Sequence, residues 1–115
     1  MTVKTRSRGA GKRSGWSMDW QGRSGAHYRL FAEGLDSFAM TPDDLYVIAK
    51  GSHVLWVGSA DDLVADPSSR VRFRLALDCA TQVYRLDAPV NHHAASWDLE
   101  EAMPTSLATL PAQAA

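Results

Sequence analysis

The chain has 115 residues, with 12 Lys and Arg against 13 Asp and Glu, four His, one Cys and 45 % hydrophobic residues. That length carries one domain, since a second core needs roughly 50 more ordered residues; the single Cys79 excludes an internal disulfide and a disulfide-stapled scaffold; no apolar run approaches the roughly 18–20 residues that cross a bilayer as a helix. The net charge of −1 is a cancellation, because residues 1–15 hold five basic side chains and no acid, whereas the other 100 hold 7 basic and 13 acidic ones, giving −6.

In chain order, the first segment is that basic arm. Lys4, Arg6, Arg8, Lys12 and Arg13 sit in a stretch whose one large apolar residue after Met1 is Val3, too little to repay ordering by burial, so residues 1–15 read as disordered. A +5 arm gives salt-sensitive, sequence-independent affinity for DNA or RNA, or simply solvates a small domain. No apolar stretch follows it, so no signal peptide is read, and with the lone cysteine this points to the cytoplasm and away from a membrane. Gln21–Gly25 reads as a turn and 26–33 as a strand with Tyr28 and Leu30 on one face. Residues 34–40 are undecided, and Thr41-Pro42 has the form of a cap or turn.

Leu45–Ala49 and Val54–Val57, separated by Lys50-Gly51-Ser52-His53, read as a hairpin. Neither run alternates, which predicts two central strands covered on both faces. Ser59-Ala60-Asp61-Asp62 matches a capping box opening a helix. Asp66 or Ser69 then caps residues 70–80; there strand alternation (Val71, Phe73, Leu75, Leu77) competes with helical spacing, and the preceding caps decide for helix. Gln82–Leu86 reads as a further strand, and 103–115, with two prolines and no side-chain charge, as a loose tail. The expected architecture is therefore α+β: a three- or four-stranded sheet with a central hairpin and one or two packed helices over residues 16–100, a disordered arm over 1–15 and a flexible tail over 101–115.

The segment Asp44-Leu45-Tyr46-Val47, a short hairpin, then Leu55-Trp56-Val57-Gly58-Ser59-Ala60-Asp61-Asp62-Leu63 resembles the GIY-YIG nuclease superfamily, and Trp20–Tyr28 resembles the lead-in strand of some divergent bacterial members. The resemblance implies phosphodiester cleavage or descent from it. It places Tyr46 at the water-activating tyrosine, Gly58 at the glycine closing the second triplet, and Arg70 or Arg74 at the phosphate-steadying arginine. A hydroxyl can relay a proton, a guanidinium can grip phosphate oxygens bidentately, and Mg²⁺ or Mn²⁺ would take carboxylate oxygen in an active nuclease. Several positions depart from the family. Trp56 replaces the second tyrosine, and its N–H can only donate. Asp44 replaces the first glycine, the stretch from Leu63 to Arg70 is long, and no glutamate clearly takes the metal position, Glu100 and Glu101 being the only downstream ones. Losses within a catalytic set cost orders of magnitude in rate.

Plainer roles stand beside each candidate: a packed Tyr46 and Trp56, a turn at Gly58, exposed ion pairs for Arg70 and Arg74 with Asp66 or Asp78. Asp61-Asp62 suits a helix N-terminus without any cation; His92-His93, read as loop residues, and the isolated His27 and His53 form no metal signature. The functional expectation is a divergent, degenerate GIY-YIG-like domain that binds nucleic acid through its arm and its Arg70/Arg74 face, with endonuclease activity weak or absent. The alternative is a protein-interaction or structural module on the same fold.

Overall fold

A computed structural model describes residues 16–36, 39–86 and 91–108. The basic arm and residues 109–115 of the tail lie outside the described residues. In chain order the elements are β1 (Ser17–Gln21), β2 (His27–Glu33), β3 (Leu45–Lys50), β4 (His53–Gly58), α1 (Ala60–Ala65), α2 (Pro67–Cys79), β5 (Gln82–Leu86), α3 (His92–Leu99), β6 (Met103–Pro104) and a final turn of helix, α4 (Thr105–Ala108). The strands form one sheet in the order β4-β3-β5-β2-β1-β6. Every pairing is antiparallel and the sheet curls into a half-barrel.

This overturns the expected three- or four-stranded sheet with one or two helices. Three causes are visible. Ser17–Gln21, passed over in the sequence, pairs along its whole length with β2, from Ser17 opposite Phe31 to Gln21 opposite His27. Met103-Pro104, assigned to the tail, adds a two-residue strand beside Trp20 and Gln21. Gln82–Leu86 does not extend the hairpin's edge but inserts between β3 and β2, joining two hairpins into one sheet. The chain thus continues in regular structure to residue 108, beyond the boundary expected at 100.

The hairpin itself forms as expected, with a register irregularity between Ile48 and Ala49. Its two strands differ. In β3, Leu45 to Ala49 are all buried, because α2 packs on one face and α3 on the other. By contrast β4 is an edge strand, its Leu55 40 % exposed; its apolar run therefore does not mark a central strand. Period-two geometry sorts the side chains to the two faces. Trp20, Leu30, Ala32, Val47, Ala49 and Tyr84 build one core with Leu99 of α3 and Ala102. Tyr46, Ile48, Trp56 and Val83 build the other with Ala76 of α2.

The helices start where local chemistry dictates. Ser59 accepts from the Asp62 N–H while the Asp62 carboxylate accepts from the Ser59 N–H at 2.8 Å, the reciprocal capping box. Asp66, the first of the two candidate caps, accepts from Ser68 N–H at 3.0 Å, and Pro67 opens α2. Asn91 caps α3, so His92 and His93 lie in a helix and not in the expected loop. No helix among the described residues is long and apolar enough to cross a membrane.

Candidate functional site

The residues singled out by the GIY-YIG resemblance fall on and beneath α2. Tyr46 and Trp56 share the face of the sheet that α2 covers. The Tyr46 hydroxyl accepts from Thr41 N–H at 2.7 Å and lies 3.2 Å from the Thr41 hydroxyl, so it fastens the segment before β3. Trp56 N–H donates to the buried Ser69 hydroxyl at 3.2 Å, and its ring meets Phe73 edge-on at 4.9 Å between centroids, tying β4 to α2. Gly58 is explained by close approach: a Cβ there would sit 2.6 Å from the Trp56 ring and 3.0 Å from an Asp62 carboxylate oxygen. The glycine two residues after the tryptophan, on the same face of the strand, lets the indole lie along its own strand.

Arg70 donates from one guanidinium nitrogen to the carbonyls of Leu63 at 2.7 Å and Val64 at 3.3 Å, satisfying the free C-terminal acceptors of α1. Arg74, one turn later, is exposed. The two arginines do come together, at the rim of a groove of about 470 Å³ whose floor is Leu63, Phe73 and Leu77 and whose far end carries Asp78. Neither Tyr46 nor Trp56 is among the described residues that line it. The structure therefore brings Arg70 and Arg74 to one surface and leaves the two aromatic candidates beneath it. Asp44, in place of the first triplet's glycine, accepts from the Thr41 hydroxyl at 2.6 Å and lies 3.9 Å from Arg85. Among the described residues no group of three or more His, Cys, Asp or Glu side chains is placed to hold a metal ion. Glu100 lies 3.8 Å from Arg23 at the end of α3.

The outer side of α2 shows what the sequence reading missed. Val71 and Leu75, one turn apart, are 59 % and 61 % exposed, and Val64 at the end of α1 is 79 % exposed. On a helix, positions 72 and 74 flank that pair on opposite sides, so the apolar stripe runs between Arg72 and Arg74. The sequence signal was present, in the Val71/Leu75/Cys79 spacing, but nothing in it separates a stripe facing the core from one facing water.

A second polar constellation, also missed, joins the first hairpin to α3. Asp98, 4 % exposed, accepts from Ser24 N–H at 2.6 Å, the Ser24 hydroxyl at 2.7 Å and the Tyr28 hydroxyl at 2.7 Å. The Arg23 N–H donates to Asp98 C=O at 3.0 Å, its side chain donates to Trp97 C=O at 3.1 Å, and its guanidinium stacks over the Trp97 ring at 4.1 Å. Gly22 is required here, because a Cβ would lie 2.5 Å from the Asp98 carboxyl group. Burial pushes the Asp98 carboxyl up, but the two Ser24 bonds and the Tyr28 bond outweigh it and hold its pKa below the usual carboxylate value. Burial and the same bond push Tyr28 up to about 12. The Ser24 oxygen also accepts from Ala26 N–H at 3.2 Å, so its donor and one acceptor position are both used. The cluster is built as a clamp and not as a nucleophile–base pair, which would need a base accepting from the nucleophile and poised to release the proton. No family model, curated protein or solved structure matches this chain.

Proposed function

We propose that the chain is a divergent GIY-YIG-like domain without nuclease chemistry that serves as a protein-interaction module, with the outer face of α2 as its docking face. The observation that carries this is the exposed Val71/Leu75 pair between two arginines that make no ion pair among the described residues. Exposed branched aliphatics on a helix gain nothing from water and gain free energy when covered, about 25 cal/mol per Å² of apolar surface. The lineage part of the reading rests on the hairpin, the capped helix and the placement of Tyr46 and Trp56 on one sheet face. The absence of nuclease chemistry rests on what those side chains do: Tyr46 and Trp56 bind other parts of the fold, and one guanidinium nitrogen of Arg70 holds α1.

The rival reading is nucleic-acid binding through the arm and the arginines of α2. An apolar stripe between the arginines disfavours it, since phosphate recognition gains nothing from burying Val71 and Leu75. The test places a photoreactive phenylalanine analogue at position 71 of the full chain in cells. A discrete protein adduct, identified by mass spectrometry and absent when the analogue is at the buried-face position 76, supports the reading. A nucleic-acid adduct refutes it, as does plasmid cleavage with Mg²⁺ or Mn²⁺ that Tyr46→Phe abolishes.

A further inference from the structure

Resting on that reading of α2, we infer that the occupant of its outer face is a second copy of this chain, packed antiparallel to it, with Arg74 of each copy paired to Asp78 of the other. The inference comes from the charge order along the stripe. Arg74 and Asp78 lie four residues apart on one thirteen-residue helix, both exposed, both at the rim of the same groove and neither in an ion pair among the described residues. They form one row beside Val71 and Leu75.

A twofold axis perpendicular to two side-by-side helices reverses the direction of the second and keeps its rows on the same side. Under that operation the row Arg74–Asp78 runs opposite the row Asp78–Arg74. Each cation then meets an anion, twice, about an axis level with Ala76; the two Leu75 side chains close against each other, and Val71 of each copy lies over the C-terminal end of the other's helix. An isologous interface requires this self-complementarity. The other occupants match less well. A nucleic acid would meet Asp78 with like charge, and a purely acidic peptide would satisfy Arg72 and Arg74 but confront Asp78. A parallel arrangement of two copies would exchange the flanks and set Arg74 of each beside Arg72 of the other.

The helix is about 20 Å long at 1.5 Å per residue, so one such face covers less than the ~1,600 Å² of a standard interface, and the dimer is a weak one, in the micromolar range. The mass of the full chain is measured by light scattering and sedimentation from about 2 to 300 µM, a range that spans such an affinity. A reductant is present, so that the exposed Cys79 cannot couple copies covalently.

The wild-type chain is expected to move from monomer to dimer mass across that range. Leu75→Glu should hold it monomeric throughout. Arg74→Asp and Asp78→Arg should each weaken the dimer by about tenfold, the loss of two exposed ion pairs and their replacement by repulsion. The double variant Arg74→Asp/Asp78→Arg should restore it to within about threefold, because the swapped row is again self-complementary under the same axis. All three positions are on the exposed side of α2, so circular dichroism should be unchanged. A wild-type chain that stays monomeric, or a double variant no better than the singles, overturns the inference. Failure of the underlying reading looks different. A dimer that survives Leu75→Glu means that the α2 face docks nothing in this assembly, whereas a monomer that still gives a protein adduct from position 71 keeps the docking face and removes only the second copy.

Discussion

Replacing Asp98 with alanine should be the most damaging single change available outside the apolar core. The carboxylate is 4 % exposed and accepts three hydrogen bonds, at 2.6, 2.7 and 2.7 Å. Hydrogen bonds to a charged group contribute about 1.5–3 kcal/mol each, but Ser24 is exposed and recovers water when released, so the three together are worth about 3–5 kcal/mol. A domain of this size has about 5–15 kcal/mol in total, so Asp98→Ala should leave it close to unfolding. Asp98→Asn keeps the volume and one acceptor oxygen, and both hydroxyls can turn to accept from its amide, so its cost should be about 1–3 kcal/mol. Urea unfolding followed by tryptophan fluorescence measures both, with Trp97 beside the clamp as a local reporter. Tyr28→Phe should cost about 1–2 kcal/mol alone and much less in the Asp98→Ala background, since the two changes remove one shared bond. An Asp98→Ala cost below about 1 kcal/mol, or full additivity with Tyr28→Phe, would refute the clamp as a source of stability.

The same groups set the pH dependence. The folded pKa of Asp98 lies below its unfolded value, so its stabilisation is present above the ordinary carboxylate range near 3.8 and is lost as pH falls through the lower folded value. Asp19 behaves alike through its bonds from Thr105 and His27, so Asp98→Asn should flatten only part of the acid limb of a urea-midpoint profile. Tyr28, raised to about 12, contributes stability that is fully present below pH 10 and lost towards 12, and Tyr28→Phe should remove that alkaline loss. Gly58→Ala should cost about 1–3 kcal/mol by overpacking against Trp56; combining it with Trp56→Phe, which deletes the clashing ring atoms, should cost less than the sum in the same unfolding assay. Arg70→Ala should cost about 0.5–1.5 kcal/mol through the released carbonyls of Leu63 and Val64, and hydrogen exchange should quicken in α1 more than in α2.

What could be read from the sequence was what local chemistry decides. The hairpin announced itself by two β-rich runs around a glycine, α1 by its reciprocal cap, and α2 by Asp66-Pro67 before a run whose periodicity alone was undecided. What could not be read depends on partners far along the chain. Met103-Pro104 is a strand only because Trp20 and Gln21 offer it an edge. In α3 the buried face includes Asp98 beside Ala95 and Leu99, so its apolar pattern is weak; the donors that make this burial tolerable come from residues 22–28. The edge position of β4 was hidden for a related reason. Its apolar residues are split between two cores, with Trp56 in one and Val54 and Val57 packed against the other, so alternation disappears although one side of the strand faces no neighbour. At the candidate site, residue types and spacing drew attention to Arg70 and Arg74, but which atoms those side chains would be bound to is a property of the finished packing.

The insertion of β5 between β3 and β2 also dictates the order in which this chain can become itself. The two hairpins are local and can form early, but neither is joined to the other until Gln82–Leu86 lies between them, opposite Phe31 to Glu33 on one side and Leu45 to Ala49 on the other. Closing such distant pairs is the slow part of folding. A nascent chain that has completed β4 but not yet released residue 86 therefore carries two bare sheet edges, the inner sides of β2 and β3, both without the strand that covers them. Synthesis from the N-terminus keeps that vulnerable state in existence from the completion of β4 at Gly58 until Leu86 is released, and any stall or truncation in that interval leaves a chain suited to edge-to-edge aggregation.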